Sequence, residues 1–263
     1  GRGRLRIELE GPDCPLLAAP EELAELAGLM EAPMRLEDQG VDHLTLIQQE
    51  PLMAVAGIAA RKKDGETVSG DAGTYFKRGD GTLYVLLCDG MGSGPQANRE
   101  SSLALRLLEQ FLQAGVETEH ALVTLNSALA LRGEEAGGFT TVDLLQVDLF
   151  TGDGVVFKLG AAPTYVRKGG TVRRISGTSL PAGLEAEERS APDRFPIHLS
   201  PGDCVVLVSD GVTGTEDDSW LRERLVKFDQ GSPKELARDL ITHSPQGATD
   251  DSTALVIRLE KRG

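Results

Sequence analysis

Leu83-Tyr84-Val85-Leu86-Leu87-Cys88-Asp89-Gly90 is an apolar run that stops abruptly at Asp-Gly. A run this short and this continuous reads as a strand buried on both faces. Cys204-Val205-Val206-Leu207-Val208-Ser209-Asp210-Gly211 is a near-copy with the same ending. Two more acidic sites accompany them. Ser69-Gly70-Asp71-Ala72-Gly73 lies in a strand-like stretch, and Thr249-Asp250-Asp251-Ser252-Thr253 opens the apolar run Ala254-Leu255-Val256-Ile257. Aspartate is a poor strand residue. A carboxylate at the end of a buried strand costs several kcal/mol unless something compensates its charge. No Lys or Arg lies within four positions of Asp89, Asp210 or Asp250. Hard divalent cations, which take oxygen ligands, are the other compensation. A glycine after the aspartate lets the backbone turn its own carbonyl toward such an ion.

Outward from these strands the pattern stays β-rich. Leu52–Ala60 reads as a buried strand, Val68–Phe76 as another, and Asp80-Gly81 as a hairpin turn. Helices are predicted from about Pro95 to Gln113 and from Thr118 to Arg132, with a break at Gly137-Gly138. Strands follow over Thr140–Phe150 and Val155–Leu159, then a hairpin over Tyr165–Ile175 and a loop over 176–194. Phe195–Leu199 and Asp203–Ser209 are strands, 217–228 and 233–243 helices, and Ser252–Leu259 the closing strand. Regular strand–helix–strand alternation is missing. The order predicts an α+β fold of packed, mainly antiparallel sheets with helices outside. Residues 51–263 then form one catalytic domain. Residues 1–50 are a distinct connecting or regulatory segment, with a weak strand over Arg4–Glu10 and a helix over Pro20–Met34 whose Leu23, Leu26, Leu29 and Met30 share a face.

The chain has 263 residues, 40% hydrophobic and 26% charged, which excludes a disordered or fibrous protein. Its net charge of −14 argues against a nucleic-acid binder and suits a holder of divalent cations. Cys14, Cys88 and Cys204 include no C-x-x-C pair, so neither a disulfide scaffold nor a zinc ribbon is expected. His43, His120, His198 and His243 have no ligand spacing and read as surface or satisfied histidines. No apolar stretch is long enough for a membrane span. These features predict a cytoplasmic protein; the start at Gly1 fits a piece of a longer chain, such as the soluble domain of a membrane-anchored protein.

Asp71, Asp89, Asp210 and Asp250 on separate strand ends thus predict a Mg²⁺ or Mn²⁺ site. With so many carboxylates, two metals can share one bridging aspartate at ~3.5–4 Å and activate a water for direct hydrolysis of a phosphomonoester. A rival reading takes Gly92-x-Gly94-x-x-Ala97, between a strand and a helix, as a dinucleotide-binding loop. Another keeps the fold as a catalytically silent interaction domain.

In these residues the chain resembles the metal-dependent protein serine/threonine phosphatases, and within them the bacterial branch typified by the stage II sporulation protein E phosphatase domain. Ser69-Gly70-Asp71 and Leu87–Gly94 carry the likeness, with Phe139–Asp143, Lys158–Pro163, Leu207–Gly211 and Asp250–Thr253. The resemblance implies a two-sheet sandwich flanked by helices and two Mn²⁺ or Mg²⁺ ions at one edge. Asp89 would bridge both, Asp71 and the Gly90 carbonyl would complete one site, and Asp210 and Asp250 the other. Asp89 and Asp210 would act through the metal-activated water, with Asp251 in support. Met91 stands where the eukaryotic branch has a proton-donating His, and the phosphate-binding Arg of that branch has no counterpart beyond the nearby cations Arg61, Lys62 and Lys63. The implied substrate is phosphoserine on a partner such as an anti-anti-sigma factor, in sporulation or stress control. A homodimer through a regulatory helix is a further expectation.

Overall fold

The computed structural model describes residues 4–131, 138–184, 191–214, 217–228 and 231–262. The chain divides into two compact units, one running through Pro51 together with Arg262, the other spanning Leu52–Lys261.

The first unit contains β1 (Arg6–Glu10), a 3₁₀ turn at Cys14–Ala18, α1 (Pro20–Leu29), β2 (Met34–Gln39) and β3 (His43–Gln48). Its strands pair antiparallel in the order β1-β3-β2. Met34, Leu44 and Leu46 form its core, with Leu23, Leu26 and Ala27 of α1 packed on it. The predicted helix through Met34 ends instead at Leu29. Glu31 takes a left-handed φ of 51°, Pro33 follows, and Met34 is buried at the start of a strand. The two strands over 34–48 have no counterpart in the sequence reading.

The second unit starts with β4 (Leu52–Arg61), β5 (Asp71–Lys77), β6 (Thr82–Gly90), α2 (Gly94–Gln113) and α3 (Thr118–Ala130). It continues through β7 (Thr140–Asp148), β8 (Asp153–Leu159), β9 (Thr164–Lys168), β10 (Thr171–Ile175), β11 (Asp193–His198) and β12 (Cys204–Val208). The short α4 (Asp210–Thr213), α5 (Ser219–Lys227), α6 (Pro233–Thr242) and β13 (Ser252–Lys261) close it. Two antiparallel five-stranded sheets result, ordered β10-β9-β12-β13-β4 and β11-β8-β7-β6-β5. The predicted Arg132 end of α3 and the Gly137 break lie outside the described residues. Among the described residues no helix is long and apolar enough to cross a membrane.

The alternation of side chains along each strand explains why these strands are apolar throughout. Leu83, Val85 and Leu87 of β6 meet Val205, Leu207, Leu255 and Ile257 between the two sheets. Tyr84, Leu86 and Cys88, on the other face of β6, pack under Ala104, Leu108 and Leu112 of α2 and Leu122 and Leu125 of α3. Cys204, Val206, Val208, Ala254 and Val256 do the same under Leu221, Leu236 and Leu240 of α5 and α6. Four layers follow: helices, sheet, sheet, helices. β4 was expected to be buried, but it is an edge strand and only Leu52 and Gly57 along it are buried. Gly57 has its own reason, since a Cβ there would fall 2.2 Å from the backbone nitrogen of Lys234 in α6.

Candidate metal centre

Register builds the site. β5 pairs with β6 so that Asp71 stands directly opposite Asp89, and the same register puts Asp89 opposite Thr141 of β7. In the facing sheet, β12 ends one residue before Ser209, which caps α4, so Asp210 opens a short helix. The sequence reading placed Asp210 at a strand end; the chain has already turned there. Asp250 and Asp251 immediately precede β13. The two sheets thereby bring four segments to one edge of the sandwich.

Asp89 borders a cleft of about 350 Å³ that Lys63, Gly90, Met91, Asp210 and Asp250 also line. Asp71 lies beneath, 8% exposed, and neither of its carboxylate oxygens has a hydrogen-bond partner. Burial drives the Asp71 carboxyl above the ordinary carboxylate range, while the nearby Ser209 and Thr253 hydroxyls oppose that shift without closing a well-formed bond. Asp89 is pushed up much further, by burial first and then by the charges of Asp71 and Asp210 on either side. Asp250 is raised by burial and by the charge of Asp210. For Asp71 the like charge that adds to burial is that of Asp251; a carboxyl raised by burial and a neighbouring like charge is one that a nearby positive charge would relieve.

The donor set fits hard cations. It is all oxygen, and it includes two buried oxygens that nothing in the chain satisfies. Strand register sets Asp71 opposite Asp89, and the charge of Asp210 bears on Asp89 as well. Among the described residues no three His, Cys, Asp or Glu side chains enclose a single point at metal-holding distance. The histidines stand apart: His43 beside Asp38, His120 beside Glu117, His198 beside Asp153 and His243 beside Asp239, all on the surface.

The two glycines after Asp have a packing role that the sequence did not show. A Cβ on Gly90 would sit 2.1 Å from the carbonyl oxygen of Ala97 in α2, and one on Gly211 would sit 1.9 Å from that of Asp251. The cations near β4 also separate. Arg61 is spent on Ser244 and the Gly247 carbonyl, and Lys62 on the Glu66 carbonyl. Lys63 alone of the three lines the cleft. Nothing local in the sequence separates Lys63 from its neighbours; the pairing of β4 with β13 does.

The dinucleotide reading of Gly92-x-Gly94-x-x-Ala97 fails on topology. β6 is flanked by antiparallel partners, and α2 leads into α3 rather than back to a parallel strand. Gly92 and Gly94 have φ of +88° and +73°, which a tight entry into α2 requires.

Known proteins agree with this architecture. The chain is 29% identical over 231 residues to a stage II sporulation protein E of Priestia megaterium, an alignment covering 84% of this chain but 39% of that protein. The chain therefore spans about two-fifths of that relative's length. The structure of the PP2C phosphatase domain and a fragment of the regulatory domain of SpoIIE from Bacillus subtilis superposes with a TM-score of 0.79. Identity there is 25%, over 100% of this chain and 80% of that one. RsbX, crystallised in complex with magnesium, shares the fold at a TM-score of 0.63 and 19% identity, over 86% of this chain and 100% of that one. The stage II sporulation protein E (SpoIIE) model matches residues 79–260, from the turn before β6 almost to the end of β13. That match spans more than half of the chain, and the chain belongs to the stage II sporulation protein E family.

Proposed function

We propose that the chain is a Mn²⁺- or Mg²⁺-dependent protein phosphatase that hydrolyses phosphoserine or phosphothreonine on a partner protein. Asp71, Asp89 and the Gly90 carbonyl would hold one cation; Asp89, Asp210 and Asp250 would hold the other. When bound, such a pair supplies Lewis acidity toward phosphoryl oxygens and a water acidified into a nucleophile. The chain's own groups do the rest. Lys63 meets the phosphate dianion at the mouth of the cleft. Met91, 57% exposed beside Asp89, has no proton to give, so the leaving serine is not protonated from that position. Cys88 is fully buried with its thiol pushed far above the ordinary range, and the Ser93 hydroxyl donates to Glu66, so neither is poised as a nucleophile.

One observation carries the reading. Asp71 is a buried carboxylate with both oxygens unpartnered, set opposite a second carboxylate in the strand register. Family membership supports the phosphoprotein substrate, and an anti-anti-sigma factor in sporulation or stress sigma-factor control is its specific form. A cytoplasmic placement and a homodimer formed through a regulatory helix belong to the same proposal. The test is phosphate release from a phosphoserine protein. Release that needs Mn²⁺ and stops with EDTA supports it; release indifferent to chelation, or none with either metal, overturns it.

A further inference from the structure

Between β4 and β5 the chain makes a loop, residues 62–70, which starts beside Lys63 and delivers Asp71. The loop is closed at its two ends by one side chain. The backbone N–H of Lys63 donates to Oδ1 of Asp251 at 2.8 Å, and the backbone N–H of Gly70 donates to Oδ2 of the same carboxylate at 2.8 Å. Asp251 is 3% exposed. Register explains the placement, because Ser252 pairs with Arg61 and the preceding residue of β13 therefore reaches just past the end of β4. Gly70 is shaped for the contact: a Cβ there would lie 3.1 Å from Oδ2 of Asp251 and 2.9 Å from Cβ of Ala97. The Gly70 carbonyl in turn accepts from the Gly90 N–H at 3.2 Å. On its other side, the carbonyl of Asp251 closes against Gly211, next to Asp210.

We infer that Asp251 is a positioning residue, a two-oxygen staple that fixes Lys63 for the substrate phosphate at one end of the loop and Asp71 at the other. Both oxygens of Asp251 already accept backbone N–H groups, so its work is to set the loop that carries the binding groups. A carboxylate suits the task better than an amide. It offers an acceptor at each oxygen, whereas an asparagine offers one acceptor and turns a donor toward the second N–H. The role rests on the phosphatase reading only where Lys63 is concerned; the staple itself does not.

The test has two arms. The first is hydrogen exchange of the metal-free protein. Asp251→Asn should raise exchange about tenfold or more at one of the Lys63 and Gly70 amides, and Asp251→Ala at both, while the β6 amides stay protected. The second is kinetics on a phosphoserine peptide with Mn²⁺. Lys63→Gln should raise KM about tenfold with kcat changed less than about threefold. Asp251→Asn should also raise KM, and in the Lys63→Gln background it should add less than about threefold. Unchanged exchange at both amides in Asp251→Ala overturns the staple. Full additivity of the Asp251→Asn and Lys63→Gln effects on KM overturns the link to Lys63. If the parent protein releases no phosphate with either metal, the phosphatase reading falls, and the exchange arm alone decides the staple. If Asp251→Ala does not fold, the isosteric Asp251→Asn carries the exchange arm, with protection retained at both amides as the overturning result.

Discussion

Two buried acidic regions lie two register steps apart in the same sheet, and they are handled in opposite ways. Asp143 of β7 sits opposite Leu87, two positions along the pairing from the Asp89–Thr141 step. It is 1% exposed, and the ammonium of Lys158, also 1% exposed, meets it at 2.9 Å. Lys158 further donates to the Thr164 hydroxyl, which donates to Asp143 at 2.5 Å. Burial alone would press Lys158 toward its neutral form, and Asp143 opposes that by favouring the charged one. Asp71 and Asp89, next door, have no such cation: hydroxyls of Ser209 and Thr253 and the carboxylate of Asp251 lie near Asp71, and the carboxylates of Asp71 and Asp210 near Asp89. Where the sandwich needs an interior carboxylate neutralised, the chain provides its own cation. At the edge, Lys63 is the cation that lines the cleft, and neither oxygen of Asp71 beneath it has a hydrogen-bond partner.

The contrast can be broken from either side. Lys158→Met leaves Asp143 buried without its partner and should cost about 3–5 kcal/mol of stability, read by urea unfolding. Asp89→Asn should keep the fold and lose at least about a hundredfold in kcat, which is ~2.7 kcal/mol of barrier, and Asp210→Asn should behave alike. A mutant pair in which Lys158→Met is harmless and Asp89→Asn unfolds the chain would invert the comparison. Mn²⁺ at about ten times its Kd should stabilise the parent by ~1.4 kcal/mol, raising Tm by about 4 °C, and should leave Asp89→Asn unmoved. Calorimetry with and without EDTA checks this.

The smallest effect is the dependence on pH. Asp71 and Asp89 have folded-state pKa values above their unfolded ones. The folded chain therefore holds protons that the unfolded chain releases once pH passes the ordinary carboxylate range. Stability from these two groups is fully present below about pH 4 and is lost as pH rises toward each folded value. The metal-free Tm of Asp89→Asn should thus fall less between pH 5 and pH 7.5 than that of the parent, by about 2–3 °C. An equal slope in both proteins would mean that Asp89 is already satisfied in the bare chain.

The strands, the outer helices and the four acidic segments were legible in the sequence because each leaves a local mark. β6 and β12 are apolar on both faces since both faces are covered, and Asp-Gly ends each run. What escaped is what pairing decides. β2 is buried only at Met34 and exposed from Leu36 to Gln39, while β3 is buried continuously from Leu44 to Ile47, so neither shows a clean alternation. Lys63 is one of three consecutive cations, and only the β4–β13 register selects it. Asp251 reads as the second half of an Asp-Asp pair until its two oxygens are seen on backbone amides far away in sequence.

β5, which carries Asp71, has a neighbour on one side only. Strands in that position open locally at lower free energy than the sheet interior. A slip of one residue there would turn Asp71 to the opposite face. Warming should therefore silence the protein before it melts: turnover would decline while the far-ultraviolet circular dichroism still reports an intact sandwich.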